Sequence, residues 1–264
     1  MMRSAWVLAV GALLTVWYVG KVYLFSLFAT CEALCKSCDL ALRRWSRSIL
    51  YLAGVDVSME GVEHLDVGQA LIIIANHESW FDVWALAGCL PFDVHFVGKK
   101  ELTSIPIFGR AWKVCGHVSV DRADRDSAIE SMVRAGRQIK KKGLRMVFFA
   151  EGTRSSDGRM LPFKKGPFVL AIEGGIPVVP VSIVGSRPIM PKGSFRIRRG
   201  NIALNIGEPI SVTDLAHSDR DRLRKTVRDA VVRLRGGEGP TSRLPGEPPL
   251  DNVFGSRRTV NSSG

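Results

Sequence analysis

The sequence lacks three features that would assign it to common enzyme or repeat classes. It contains no glycine fingerprint of a nucleotide-binding fold, no G-x-S-x-G nucleophile elbow and no internal repeat, which argues against a dinucleotide-dependent enzyme, a serine hydrolase of the α/β type and a solenoid. It is also short of acidic residues, since 25 Asp and Glu stand against 37 Lys and Arg, for a net charge of +12. This excess favours anionic partners such as phospholipid headgroups, phosphorylated substrates, coenzyme A or nucleic acid. Because a recognition-helix signature and an aromatic strand motif are also missing, we expect no nucleic-acid partner.

The five cysteines are an odd number and do not indicate a disulfide framework. Cys31, Cys35 and Cys38 lie at helical spacing on an apolar face, where buried or lipid-facing thiols are favoured over metal ligands. We therefore expect reduced thiols in a reducing compartment, and no metal site.

The N-terminus is strongly apolar. Residues 4–20 carry no charge, and the apolar stretch continues after Lys21 as far as residue 30, which predicts a retained membrane helix. A signal peptide is the alternative, but Phe28-Ala29-Thr30 is a poor cleavage site. Residues 34–52 then show helical spacing with a basic face, which suits either an amphipathic helix on an anionic membrane surface or a helix packed on the core. The basic cluster after the apolar span favours a catalytic domain that faces the cytoplasm.

The rest of the chain alternates between strand and helix patterns. Apolar runs at 70–75, 145–149 and 177–184 predict buried strands, and 194–198 with 201–206 suggest a hairpin. Helices are expected from Ser127, over 166–174 and over 218–234. The prediction is an α/β domain with a mixed, largely parallel sheet covered by helices. We divide the chain into a membrane-anchoring helical segment (1–53), this domain (54–235) and a disordered tail (236–264).

Polar residues follow directly after two of these strands. His77 comes two residues after the first strand and Asp82 five residues later, so a turn would allow the carboxylate to orient the imidazole as a general base. A surface turn with incidental polar residues is the alternative. After the second strand, Gly152 would allow backbone N–H groups to approach an anion and Arg154 could grip one, although a structural ion pair between Glu151 and Arg154 would use the same residues.

With both loops considered together, the chain resembles the glycerolipid acyltransferase family, in particular its lysophosphatidic acid acyltransferase branch. The family's N-H-x-x-x-x-D motif is met by Asn76, His77 and Asp82, and its F-P-E-G-T-R-S motif by residues 149–155. Ala150 stands where the family usually has proline. Weaker blocks at 116–122 and 176–181 also match, and the resemblance covers roughly residues 55 to 212.

The resemblance implies a membrane-bound enzyme that moves an acyl group from acyl-CoA or an acyl carrier protein to the free hydroxyl of lysophosphatidic acid. It implies that His77 and Asp82 are catalytic, that Arg154 binds the substrate phosphate, and that no cofactor is needed. The remaining expected substrate contacts are Glu151, Gly152, Thr153 and, as secondary anion contacts that could equally be surface charges, Arg122 and Lys99. The alternatives are an acyltransferase for another lysophospholipid or lyso-aminolipid, and a membrane adaptor that binds acidic lipid without chemistry.

Overall fold

The computed structural model describes residues 2–66, 70–120, 136 and 139–236. Arg122, most of the helix predicted from Ser127 and the predicted tail beyond residue 236 lie outside these residues, whereas the described part of that helix, residues 136 and 139–142, is helical. The described helices are α1 (Met2–Phe25), α2 (Cys31–Ala53), α3 (Phe81–Cys89), α4 (Phe108–Val114), α5 (Gly166–Gly174), α6 (Ser186–Ile189) and α7 (Arg220–Leu234). The described strands are β1 (Val55–Glu60), β2 (Leu71–Ala75), β3 (His95–Lys99), β4 (Val118–Val120), β5 (Arg145–Phe149), β6 (Val178–Val184) and β7 (Gly200–Ile206).

These strands form one sheet in the order β1-β7-β6-β2-β5-β3-β4. Neighbouring strands are parallel except for the antiparallel pair of β6 and β7. Every residue of β2 is buried, as expected for a central strand that is covered on both faces. One face packs against α2 and α3 and the other against α5 and α7. The predicted fold class, a mixed and largely parallel sheet covered by helices, is confirmed.

The predicted hairpin around Arg199 and Gly200 is wrong. Strand β7 pairs with β1 in parallel and with β6 in antiparallel orientation, and residues 194–198 form no strand. Instead, the backbone of Ile197 is bonded to α1: Ser4 Oγ accepts from Ile197 N–H (3.0 Å), and Arg3 donates to Ile197 C=O (3.3 Å). Two adjacent extended segments around a turn look like a hairpin in sequence, but the sheet order gives both edges of β7 to other strands.

Both ends of α1 contact the rest of the molecule. At its start, Arg3 donates to the carbonyl of Ala53 at the end of α2. Near its end, Val22 packs with Ala111 of α4, and the Arg110 guanidinium lies 5.3 Å from the centre of the Tyr23 ring. Among the described residues, α1 is the one helix that is long and apolar enough to cross a membrane.

Helix α2 packs between α1 and α3, as the core-packing alternative expects. Ile49, Leu50 and Ala53 belong to the main hydrophobic core. Two residues of its basic face bind the C-terminal end of α3: Arg47 Nε donates to Gly88 C=O (2.7 Å) and Arg43 donates to the carbonyl of Leu90 (2.8 Å). These cations satisfy free carbonyls at the negative end of the α3 dipole. The division of the chain at residue 53 stays a prediction.

The expectation of reduced thiols is wrong for two cysteines. Cys38 of α2 and Cys115, directly after α4, form a disulfide with their Cα atoms 5.4 Å apart. Cys35 and Cys89 are free thiols. Helical spacing correctly placed Cys38 on a buried face, but its partner is 77 residues away in sequence, and no local pattern connects the two.

Candidate active site

The residues between β2 and α3 form a tight turn around the carboxylate of Asp82, which lies in the first turn of α3. Asp82 is fully buried. Its Oδ2 accepts hydrogen bonds from His77 Nδ1 (2.8 Å) and from the backbone N–H groups of Glu78 (2.7 Å) and Ser79 (2.9 Å). The predicted turn between His77 and Asp82 is therefore present, and the imidazole and the carboxylate are in direct contact.

This hydrogen bond decides which nitrogen of His77 is available for chemistry. An ionised carboxylate can only accept, so Nδ1 carries a proton, and in the neutral ring the lone pair belongs to Nε2. The His77 side chain is 14% exposed. Its ring stacks on Phe149, the last residue of β5, with the ring centres 3.9 Å apart and the planes 16° from parallel. The imidazole is thus fixed on one face and at one nitrogen, while Nε2 can accept a proton.

Asn76 ties the same turn to the neighbouring strand. Its side-chain amide donates to the carbonyl of Ile183 in β6 (2.9 Å), and its Oδ1 accepts from the N–H of that residue (2.7 Å). Ser79 Oγ donates to the carbonyl of Met190 (2.9 Å). Asn76 and Ser79 are buried, so the two polar side chains hold the turn by contacts with backbone that lies more than a hundred residues away.

The register of the sheet brings the second loop beside the first. Because Ala75 of β2 lies opposite Phe149 of parallel β5, the residues that come two positions later, His77 and Glu151, leave the sheet side by side. Glu151 Oε1 accepts from His77 N–H (2.8 Å), and Oε2 accepts from Leu161 N–H (2.7 Å). Glu151 is 2% exposed, and burial raises its pKa to about 7. These contacts support the backbone at His77, and the expected contact of Glu151 with the substrate stays a prediction.

Arg154 extends from this second loop towards the dyad. Its guanidinium lies 5.0 Å from the centre of the Trp80 ring, within the range of a cation–π contact. Partial burial lowers the pKa of Arg154, and the charge of Asp82 opposes this effect. The cation therefore lies beside the turn of the dyad and stacks on an aromatic ring.

The two residues before Arg154 shape the loop. Gly152 has a φ of +75°, a left-handed conformation that favours glycine, and its N–H donates to the carbonyl of Phe149 (2.9 Å). Thr153 is exposed, and its hydroxyl accepts a hydrogen bond from Lys192 Nζ (3.3 Å). The N–H of Gly152 thus closes the turn, and Lys192 is a further cation next to the loop that the sequence did not indicate.

Ala150, which replaces the usual proline of the resembled motif, continues the sheet by one residue. Its N–H donates to Ala75 C=O (3.3 Å), and its own carbonyl accepts from Lys164 N–H (2.7 Å). A proline could not donate the first of these bonds. The position is buried and extends the pairing of β2 with β5, so the departure from the motif is accommodated within the strand.

The remaining expected anion contacts are less central. Lys99 ends β3 and is exposed, and the parallel pairing of β3 with β5 carries it to the same edge of the sheet as Glu151. Arg122 lies outside the described residues. Within those residues, no group of three His, Cys, Asp or Glu side chains could hold a metal ion.

The site also contains an ion pair that the sequence did not indicate. Glu78, the residue between His77 and Ser79, is buried and pairs with Arg235, directly after α7. Burial raises the pKa of Glu78, and the charge of Arg235 opposes the rise. The two residues are far apart in sequence and outside the motif positions, so no local signal could have found the pair.

The fold and the site define the class of the molecule: an α/β protein with a hydrogen-bonded His–Asp pair at the carboxyl edge of a largely parallel sheet. The acyltransferase family profile matches residues 56–184. The 1-acyl-sn-glycerol-3-phosphate acyltransferase of Limnanthes alba is 35% identical over 185 residues, which cover 70% of this chain and 65% of the relative. The enzyme of that name from Saccharomyces cerevisiae is 34% identical over 183 residues, or 69% of this chain and 60% of the relative.

Among solved structures, the 1-acyl-sn-glycerophosphate (LPA) acyltransferase PlsC from Thermotoga maritima matches with a TM-score of 0.75 and 29% identity. The match covers 88% of this chain and 92% of that one. Residues 56–184 therefore belong to the acyltransferase family, and the resemblance of the chain to the lysophosphatidic acid acyltransferase branch is confirmed. The chain spans about two thirds or less of the length of the two curated relatives described.

Proposed function

We propose that this protein transfers a fatty acyl group from an acyl thioester to the free hydroxyl of lysophosphatidic acid, forming phosphatidic acid. The observation that carries the proposal is the orientation of His77, whose Nδ1 is bonded to buried Asp82 while Nε2 remains able to accept a proton. The family membership and the names of the relatives support the choice of substrates.

In the proposed reaction, His77 Nε2 takes the proton of the acceptor hydroxyl while the hydroxyl oxygen attacks the thioester carbonyl. The imidazolium that forms is stabilised by the charge of Asp82 through Nδ1. The tetrahedral intermediate then collapses, the carbon–sulfur bond breaks, and the leaving thiolate takes the proton from Nε2. An ester and a free thiol are the products, and His77 returns to its neutral form without a covalent enzyme intermediate.

The residues that would bind the substrate phosphate are chosen by their charge. Arg154, stacked on Trp80 next to the dyad, would bind the phosphate of the acceptor, because a guanidinium matches phosphate oxygens with two parallel hydrogen bonds. Thr153 and the exposed Lys99 would contribute secondary polar contacts. The thioester is carried by acyl-CoA or by an acyl carrier protein, and the assay described below separates these two donors.

The protein is proposed to act at a membrane with its catalytic domain on the cytoplasmic side. Helix α1 exposes several large apolar side chains: Trp6, Leu8, Leu13, Val16, Trp17, Leu24 and Phe25. Because both ends of α1 contact the rest of the molecule, we propose that the helix lies along one leaflet of the bilayer and not across it. This arrangement would present the site to acceptors that are themselves lipids.

The proposal is tested by measuring free-thiol release from acyl-CoA, and in parallel from acyl carrier protein thioesters, with the protein in vesicles that contain lysophosphatidic acid. The His77→Ala variant should lose the acceptor-dependent release. His217→Ala removes an exposed imidazole remote from the dyad and should leave the rate unchanged. Release with another lysolipid only would move the function to that acceptor, and lipid binding without release from any donor would favour the adaptor.

A further inference from the structure

Glu78 is a buried carboxylate next to the dyad that the proposed reaction does not use. It is 3% exposed, and its N–H donates to the same oxygen of Asp82 that holds His77. A displacement of Glu78 would therefore move a hydrogen-bond donor of the catalytic carboxylate. Three buried carboxyl groups, those of Glu78, Asp82 and Glu151, lie around this turn.

Removing a carboxylate from water costs several kcal/mol unless a cation compensates it. For Glu78 that cation is Arg235, whose Nη2 pairs with Oε1. Arg235 is fixed by its own surroundings: its N–H donates to Val231 C=O (3.1 Å), and the preceding carbonyl of Leu234 accepts from Asn205 Nδ2 of β7 (2.7 Å). The end of α7 is thus attached to the sheet at the point from which the guanidinium reaches the turn.

Among the residues that the structure describes, the other cations near the turn do not replace Arg235 in this pair. Arg187 of α6 acts on Glu78 through space only, and it donates to the backbone of Ser156 (3.1 Å). Arg154 is stacked on Trp80 and acts on Asp82. In the described part of the chain, the charged and titratable groups that face the turn are His77, Glu78, Asp82, Glu151, Arg154, Arg187 and Arg235.

We propose that Arg235 is a positioning residue for acyl transfer: by pairing with Glu78 it keeps this buried carboxylate charged and in place, and thereby holds the turn that carries His77 and Asp82. The proposal rests on the catalytic role proposed above for His77 and Asp82. If the proposal is correct, activity depends on Arg235, which lies outside both acyltransferase motifs and beyond residues 56–184 that match the family profile.

The proposal predicts a pH-dependent defect when Arg235 is replaced by methionine. Without the guanidinium, the pKa of Glu78 rises further. At low pH the carboxyl is neutral and compatible with burial, whereas at higher pH an unpaired buried charge disturbs the turn. The ratio of kcat/KM for Arg235→Met to that of the wild type should fall as the pH rises from 6 to 9. The loss should reach about 10–100-fold at pH 8, since small displacements of catalytic groups cost this much.

The double variant Arg235→Met/Glu78→Gln separates positioning from packing. It removes the charge of Glu78, so the ratio of kcat/KM to wild type should become independent of pH and return to within about fivefold. Arg233→Met is the matched control, because Arg233 is an exposed arginine on the last turn of the same helix. It should change kcat/KM by less than about twofold at every pH.

The experiment measures thiol release between pH 6 and 9 for these variants, with circular dichroism on each. If Arg235→Met does not fold, Arg235→Lys takes its place, because lysine keeps a cation with poorer geometry. Its loss of kcat/KM at pH 8 should be smaller than the loss of about 10–100-fold expected for Arg235→Met. Adding Glu78→Gln to Arg235→Lys should not increase that loss. A pH-independent loss that Glu78→Gln fails to rescue, or an Arg235→Met variant equal to Arg233→Met, would overturn the inference. Two other outcomes would contradict the proposed function instead: wild-type protein that shows no acceptor-dependent thiol release, or a His77→Ala variant that is fully active.

Discussion

Replacing Asp82 with asparagine tests the charge of the dyad, because the side chain keeps its size and one oxygen that can accept from His77. The charges of an imidazolium and a carboxylate joined by the 2.8 Å contact lie about 4 Å apart, and at an effective dielectric constant of about 20 they attract by about 4 kcal/mol. In the proposed reaction the imidazolium forms only as the acceptor hydroxyl loses its proton, so this stabilisation applies mainly to the transition state. We therefore expect kcat to fall about 10³-fold while KM for the acceptor changes by less than about twofold.

The same substitution should also lower stability, for a reason specific to this turn. Asp82 Oδ1 is buried and has no hydrogen-bond partner among the described residues, so the new amide group would be placed where it cannot donate. An unsatisfied buried donor costs about 1–3 kcal/mol, which urea denaturation measures directly. Asp93→Asn is the control, because Asp93 is half-exposed and pairs with Arg43 at the surface. A folded Asp82→Asn variant with kcat within tenfold of the wild type would refute the catalytic role of this carboxylate.

Two further predictions concern the loop after β5. Arg154→Ala should raise KM for lysophosphatidic acid by about 10–100-fold, because charge-assisted hydrogen bonds to phosphate contribute about 1.5–3 kcal/mol. Arg159→Ala is the control, because it removes an exposed charge from the same loop and should leave KM nearly unchanged. Equal KM values for the two variants would contradict phosphate binding by Arg154. Because burial raises the pKa of Glu151 from 4.5 to about 7, the folded state holds a proton that the unfolded state releases, so the free energy of unfolding should fall as the pH rises from about 4.5 through 7. Glu151→Gln should remove this component in urea titrations at pH 5, 6 and 8, and an unchanged pH slope would show that Glu151 is ionised throughout.

Sequence patterns were sufficient to predict those features of the structure that depend on neighbouring residues. The apolar runs at 70–75 and 145–149 predicted strands covered on both faces, and a polar loop follows each of them. Parallel strands carry such residues to one edge of a sheet, but it is the pairing of β2 with β5 that brings His77 and Glu151 into contact. The contact between His77 and Asp82 needed only a turn of six residues.

The sheet order decided what the sequence left open. The sequence left open whether α2 lies on a membrane or on the core; in the structure it packs on the core, and Arg43 and Arg47 bind the free carbonyls at the end of α3. The segment 194–198 has the composition of a strand, yet β1 and β6 occupy both edges of β7. A pattern of apolar and polar residues describes a strand and its exposed side, but it does not state which strand lies next to it.

The sequence by itself determined the two central strands, the motif loops that follow them and the turn between His77 and Asp82, because each follows from residues a few positions apart. Only the tertiary structure decided the partners of these loops: Ile183 for Asn76, Arg235 for Glu78 and Cys115 for Cys38. These pairs are 77 to 157 positions apart in the chain, and their contact energies depend on a sheet order that no local periodicity encodes. The residues proposed for the chemistry are therefore close together in sequence, whereas the contacts that hold them in place join residues far apart in sequence.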